Sequence, residues 1–146
     1  MQIEAPRAGD SRWLALRMRL WLGPDSEHLL YMADAIARGH FVRLAISTNG
    51  AAIGFVEASK RVDYVNGTNS SPVAFLEGLY VEPVERGNGV ARALVAAVEA
   101  WAAAEGCTEL ASDSPLENVA AHAAHRALGF AETERVVYFC RPVHGA

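Results

Sequence analysis

Apolar residues along the chain fall into two alternating textures. After a short strand-like start at Ile3-Glu4-Ala5, the positions Trp13, Leu14, Leu16, Leu20 and Trp21 recur at helical spacing. With Asp10 or Ser11 as the cap, they predict a helix to about Trp21. Gly23-Pro24 breaks it, and Asp25 or Ser26 caps a second helix that runs to Arg38 and stops at Gly39. The texture then changes. Phe41 to Ser47 and Ala51 to Ser59 are strand-like runs around Thr48-Asn49-Gly50, and Asn-Gly between such runs signals a hairpin. A polar stretch from Lys60 to Ser71 carries Tyr64, and Pro72 to Val81 is a third long strand. From Gly87 to Glu105 an alanine-rich helix places Leu94, Val95, Val98 and Trp101 on one face and ends at Gly106. Cys107 to Ser112 reads as a strand, Asn118 to Leu128 as a helix closed by Gly129, and Phe130 to Arg141 as a last strand.

This order predicts an α/β fold, with one central mixed, mostly antiparallel sheet flanked by about four helices. At 146 residues the chain suffices for a single domain over 1–146, and no repeat or linker divides it. No apolar run approaches membrane-spanning length, and Met1-Gln2-Ile3-Glu4 lacks the basic end and apolar stretch of a signal peptide, so the cytoplasm is the expected location. Cys107 and Cys140 both lie in apolar stretches and read as buried free thiols. The net charge of −4 comes with no Lys/Arg run, which argues against a nucleic-acid partner and suits a cationic substrate.

The strongest chemical signal is Arg86-Gly87-Asn88-Gly89-Val90-Ala91-Arg92, set between a strand and a helix. Glycines let a backbone approach a ligand closely, and the N–H groups of a helix start face a diphosphate with a favourable dipole. A glycine-rich turn alone is more often only a turn. Its setting adds weight: it follows Leu79-Tyr80-Val81-Glu82-Pro83, and further on Asn118-Val119-Ala120-Ala121 opens a helix that closes with Leu128-Gly129-Phe130. Both blocks, and the order of elements, resemble the GCN5-related N-acetyltransferase (GNAT) superfamily. The resemblance implies acetyl-CoA as co-substrate, its arm along the main chain of Leu79, Tyr80 and Val81. Its diphosphate would sit on Arg86, Gly87, Asn88, Gly89, Val90, Ala91 and Arg92, with Asn118 on the other side. A main-chain N–H of the Leu79 to Val81 segment would polarise the thioester oxygen.

A narrower resemblance rests on Asp63-Tyr64-Val65-Asn66-Gly67, Ser70-Ser71-Pro72-Val73, Phe75-Leu76-Glu77-Gly78, Ala111-Ser112-Asp113 and Glu132-Thr133-Glu134-Arg135-Val136. These are similar to the aminoglycoside 6′-N-acetyltransferases from Trp21 onward, with one departure. Leu22-Gly23-Pro24-Asp25 stands where that group has a histidine after the tryptophan. The resemblance implies direct acetyl transfer to the 6′-amine, antibiotic resistance and a homodimer.

Aminoglycosides carry several ammonium groups, so a site for them needs converging carboxylates and a flat wall. Glu77, Asp113 and Glu134 are the candidate carboxylates, and Trp21 and Tyr64 the candidate wall. Strand-end acids are otherwise ordinary surface residues, and a helix-end tryptophan is commonly core. Glu57 and Asp63 read as solvated. Glu77 is the candidate base for the 6′-ammonium. His125 either protonates the departing thiolate or merely packs or touches cofactor. His122 and His125 lack a third ligand, so no metal is expected. Two alternatives remain: an acetyltransferase acting on a protein N-terminus or small metabolite amine, and a non-catalytic acyl-CoA sensor. The sensor would be expected to have lost Glu77 or its fellow carboxylates.

Overall fold

The computed structural model describes residues 1–145. Its elements are β1 (Gln2–Glu4), α1 (Ser11–Leu20), α2 (Asp25–Ala37), β2 (Phe41–Ile46), β3 (Ala52–Arg61), β4 (Val73–Val81), a 3-10 turn (Pro83–Glu85), α3 (Val90–Ala104), β5 (Leu110–Ala111) and α4 (Val119–Ala127). The chain divides into two compact units, one spanning Met1–Asp113 and one beginning at Ser114. The first unit holds the whole sheet; the second holds α4.

Local chemistry explains the helix ends. The Asp10 side chain accepts from the Arg12 amide at 2.9 Å, and Arg17 and Arg19 in the last turn of α1 suit the negative end of its dipole. Side-chain hydrogen bonds and charge pairing with Arg12 outweigh burial and hold the Asp10 carboxyl below its usual range. For α2 the cap differs from the sequence expectation. Pro24 occupies the N-cap with no side-chain bond, and Asp25 is already helical, where with Glu27 it meets the positive dipole end.

The sheet runs β1-β2-β3-β4-β5, antiparallel throughout except for the parallel β4–β5 pair. Between β3 and β4 the register shifts: Glu57 opposes Gly78, whereas Ala58 opposes Leu76. Glu77 is therefore an extra residue on β4, a bulge of the kind that re-aims a side chain. On one face Trp13, Leu16 and Met32 from α1 and α2 pack with Val42, Leu44, Phe55 and Tyr80. On the other, Ala102 of α3 packs with Ala74 and Cys107, with Trp101 and Leu110 at the margin. Each large side chain fully buried in such a core contributes about 1.5–3 kcal/mol relative to exposure.

Three expectations are corrected. The Cys107 to Ser112 strand shrinks to Leu110–Ala111, and Phe130 to Arg141 carries no strand. Its consecutive apolar residues, Val137, Tyr138 and Phe139, are exposed, as befits strand-forming residues without a paired neighbour. Cys140 is exposed, while Cys107 is buried as expected and burial raises its thiol pKa. No helix among the described residues is long and apolar enough to cross a membrane.

Gly54 lets β3 and α3 approach. A Cβ there would lie 2.8 Å from the Tyr80 carbonyl oxygen and 3.3 Å from Val90 Cγ1. Backbone cannot yield as a flexible side chain can, so Gly54→Ala should lower stability by about 1–3 kcal/mol. Thermal unfolding followed by circular dichroism checks this, and an unchanged Tm would refute it.

Candidate functional site

The first feature of the site is an open strand edge. β5 pairs with β4 only at Ala74↔Leu110 and Phe75↔Ala111, yet β4 continues to Val81. Past Phe75 the two strands part, and on that side the main chain of Leu79, Tyr80 and Val81 has no strand neighbour among the described residues. An extended ligand arm can add to such an edge as a strand would.

The edge leads into the glycine turn. Arg86 Nε donates to the Val81 carbonyl at 2.9 Å, with its guanidinium 5.6 Å from the Tyr80 ring centroid. Gly87 and Gly89 take φ of 82° and 83°, a left-handed backbone that glycine adopts without strain. Gly89 is the N-cap of α3 and supplies no side chain to its amides. Asn88 stands exposed between the glycines, and Val90, Ala91 and Arg92 form the helix's first turn, whose N–H groups lack intrahelical acceptors. A Cβ on Gly87 or Gly89 would meet nothing within 4 Å. These features suit an anion at the helix start.

Beside this edge, on the α1/α2 face, lies the half-buried Glu77. Its carboxylate accepts from Ser59 Oγ at 2.6 Å and from Arg61 Nη2 at 2.9 and 3.2 Å. Trp21, just past α1, lies directly on the neighbouring Gly78. A Cβ on Gly78 would come within 2.2 Å of Trp21 Cη2. Trp21 also meets Phe55 edge-to-face at 6.0 Å between ring centroids. Tyr64 is 74% exposed in a loop pinned by buried Val65 and Thr68, so packing does not explain it. Asp113 is exposed just beyond β5, in the same unit as Glu77.

Glu57 is a correction. Far from solvated, it is 1% exposed. Arg17 Nη1 lies 2.5 Å from both of its oxygens, and Trp13 Nε1 donates to it at 2.8 Å. Arg17 Nε in turn donates to His28 Nδ1 at 3.2 Å. Asp63 is exposed, as expected. Burial first, then the charges of Glu57 and Glu77, raises the pKa of the Tyr31 phenol. Sequence reasoning missed Arg17 and His28; their one signal was charge on the inner face of otherwise apolar helices.

In the second unit Asn118 caps α4, its Oδ1 accepting from the Ala121 amide at 3.0 Å. His125 Nδ1 lies 2.7 Å from the Ala121 carbonyl, which can only accept, so Nδ1 carries the proton. In the neutral ring Nε2 then has no proton to give. The ring also packs edge-to-face on Phe130 at 5.3 Å. His122 Nε2 faces the Pro115 carbonyl at 3.0 Å. Glu134 stands exposed in the segment without strand, and Glu132 beside it pairs with Arg135 at 2.5 Å. No group of three or more His, Cys, Asp or Glu converges as a metal site among the described residues.

Residues 11–130 match the acetyltransferase (GNAT) family. An aminoglycoside N(6′)-acetyltransferase type 1 from Stenotrophomonas maltophilia is 53% identical over 145 residues, covering 96% of this chain and 92% of its own. Another, from Acinetobacter haemolyticus, is 47% identical over 139 residues, covering 95% and 96%. Among solved structures, the apo aminoglycoside 6′-N-acetyltransferase of Acinetobacter haemolyticus superposes with a TM-score of 0.93 at 48% identity, covering 98% of this chain and 99% of that one. AAC(6′)-Iy, solved with the bisubstrate analogue CoA-S-monomethyl-acetylneamine, gives 0.85 at 46% identity, covering 91% of each chain.

The glycine turn predicts a separable effect. Gly89→Val forces a branched side chain into φ 83°, which should destabilise the unliganded protein by about 1–2 kcal/mol. Its Cβ projects into the open space beside the helix start, where an anion would lie. Saturating acetyl-CoA, binding only the native state at about 100 times its Kd, should stabilise wild type by about 2.7 kcal/mol and the variant by far less. An undiminished ligand-induced rise in the variant's Tm would exclude the turn as the binding site.

Proposed function

The chain belongs to the acetyltransferase (GNAT) family, and within it we propose that the protein transfers acetyl from acetyl-CoA to the 6′-amine of aminoglycosides. This is an antibiotic-inactivating, resistance-conferring activity. The observation that carries the reading is the open edge of β4 running into a glycine-lined helix start, with Glu77 beside it.

Leu79, Tyr80 and Val81 hold the pantetheine arm through their main chain, and Arg86 to Arg92 hold the diphosphate. Asn118 adds a hydrogen bond from α4. When bound, acetyl-CoA supplies the acetyl group as an activated thioester. A main-chain N–H of the β4 edge polarises the thioester oxygen, worth roughly 3–4 kcal/mol in sites of this kind. Glu77, held by Ser59 and Arg61 as an acceptor, takes the proton that the 6′-ammonium must lose. His125 is the donor candidate for the thiolate; with Nδ1 engaged by Ala121, donation from Nε2 requires the imidazolium. Trp21 and Tyr64 form the sugar-facing wall. Asp113 and Glu134 bind ammonium groups remote from the reacting amine, an assignment supported by the multiple cations of the substrate and the net charge of −4.

Residues 1–146 act as one acetyltransferase domain, since the family match crosses from the first unit into the second. The protein works as a homodimer without membrane, nucleic-acid or metal partners. Exposed Val137, Tyr138 and Phe139 favour the dimer, because so much apolar surface in one segment is better covered. Dependence on acetyl-CoA favours the cytoplasm.

Steady-state rates on an aminoglycoside panel test the reaction: drugs with a 6′-amine should turn over and one lacking it should not. Glu77→Gln should lower kcat by roughly 10²–10⁴-fold, with a defect that shrinks at high pH as solvent deprotonates the amine. A pH profile parallel to wild type would remove Glu77 as the base.

Asp113→Asn and Glu134→Gln should each raise the drug KM by about ten-fold, the worth of a partly desolvated charge-assisted bond. Acetyl-CoA KM should stay unchanged. If both variants fold and bind drug like wild type, recognition of the remote ammonium groups lies elsewhere.

A further inference from the structure

Trp21 has an unusual bed. It lies on Gly78, where a Cβ would sit 2.2 Å from its ring, and its indole is 4.6 Å from the Arg17 guanidinium carbon. That same guanidinium is 4.4 Å from the Tyr31 ring centroid. Arg17 is 6% exposed and held at two points, Nη1 by both oxygens of Glu57 and Nε by His28 Nδ1. Glu57 is itself fixed by Trp13 Nε1 and sits on β3 directly opposite Gly78. His28 is 4% exposed, and its Nε2 has no hydrogen-bond partner among the described residues. Its ring edge faces the loop after Trp21, since a Cβ on Gly23 would be 3.7 Å from Nε2.

A buried ion pair is a poor device for stability alone, because desolvation offsets much of its attraction. Here it does something an apolar pair of equal volume could not. It fixes a planar cation at one height under an indole, and the preference of a guanidinium for an aromatic face orients that indole. The indole in turn lies on the residue that follows Glu77 in the bulge. We propose that Arg17, Glu57 and His28 are positioning residues that set Trp21 on Gly78, and so determine how tightly the acceptor binds beside Glu77. None of them is placed to touch the acceptor; they act through Trp21. The inference rests on the reading of Trp21 as part of the acceptor wall.

The experiment compares Arg17→Lys, Trp21→Ala and the double variant on the full chain, with an aminoglycoside bearing a 6′-amine as acceptor. Lysine keeps a cation for Glu57 but loses the planar face and the Nε bond to His28. Arg17→Lys should raise the acceptor KM about ten-fold and leave the acetyl-CoA KM unchanged, and Trp21→Ala should do the same. The double variant should be no worse than the poorer single one, because both changes remove one interaction. If Trp21→Ala raises the acceptor KM while a folded Arg17→Lys does not, or if the two effects multiply, the proposal falls and the acceptor wall stands. If Trp21→Ala leaves the acceptor KM unchanged, the wall reading itself falls and the proposal with it. Should Arg17→Lys fail to fold, His28 decides. His28→Asn preserves an acceptor for Arg17 Nε and should keep the wild-type KM, whereas His28→Leu should raise it. Equal behaviour of the two would overturn the proposal.

Discussion

A carboxylate in the middle of a sheet has to be answered, and the answer given to Glu57 organises the first unit. An unpaired charge at 1% exposure would cost many kcal/mol, so something cationic must reach it. Among the described residues only α1 does, by turning Trp13 and Arg17 inward at positions one helical turn apart. That requirement sets the rotation of α1 about its axis and its height over β3. The end of α1, and with it Trp21, is then delivered over β4. Hydrophobic contact alone would have tolerated several rotations of the helix; the hydrogen bonds admit one.

The second constraint is purely backbone. β4 is longer than its parallel neighbour, and what the short β5 leaves uncovered is a row of main-chain groups on an otherwise paired sheet. Exposed strand edges invite added strands, and most proteins shield them. Here the strand runs on through a 3-10 turn to Gly87 and Gly89, so a ligand added along the edge would also meet the start of α3. Neither feature depends on a side chain: the edge at Leu79, Tyr80 and Val81 and the turn at Gly87 and Gly89 are both main chain.

Because backbone requirements show as glycines, the turn at the start of α3 was legible in the sequence. The turn at Arg86 to Arg92 and the positions of α1, α2, α3 and α4 stand close to where periodicity and caps put them. Glu57 was not legible. It alternates with Val56 and Ala58 as a solvent-facing strand residue would, and its partner Arg17 lies on a helix that sequence spacing does not connect to it. The C-terminal run fails for a related reason. Strand propensity at Val136 to Phe139 states that these residues fit a pleated surface, not that one is present. The Cys107 strand was overdrawn because apolar residues flank it, while its pairing depends on how far β4 stays alongside.

One strand thus carries two distinct features. The edge of β4 is open past Phe75, and its α1/α2 face carries Glu77 and the glycine under Trp21. The bulge is what permits this. In a regular strand Glu77 and Gly78 would point to opposite faces, so one of them would be lost to the α3 side. The extra residue opposite Glu57 instead brings both to the α1/α2 face, next to the open edge. Glu77, Gly78 and the start of the open edge are therefore consecutive along a few residues of backbone. Removing the bulge by one deletion would flip part of β4 and separate them, even if the fold survived. The placement of Glu77 and Gly78 on one face therefore depends on this irregularity of the sheet.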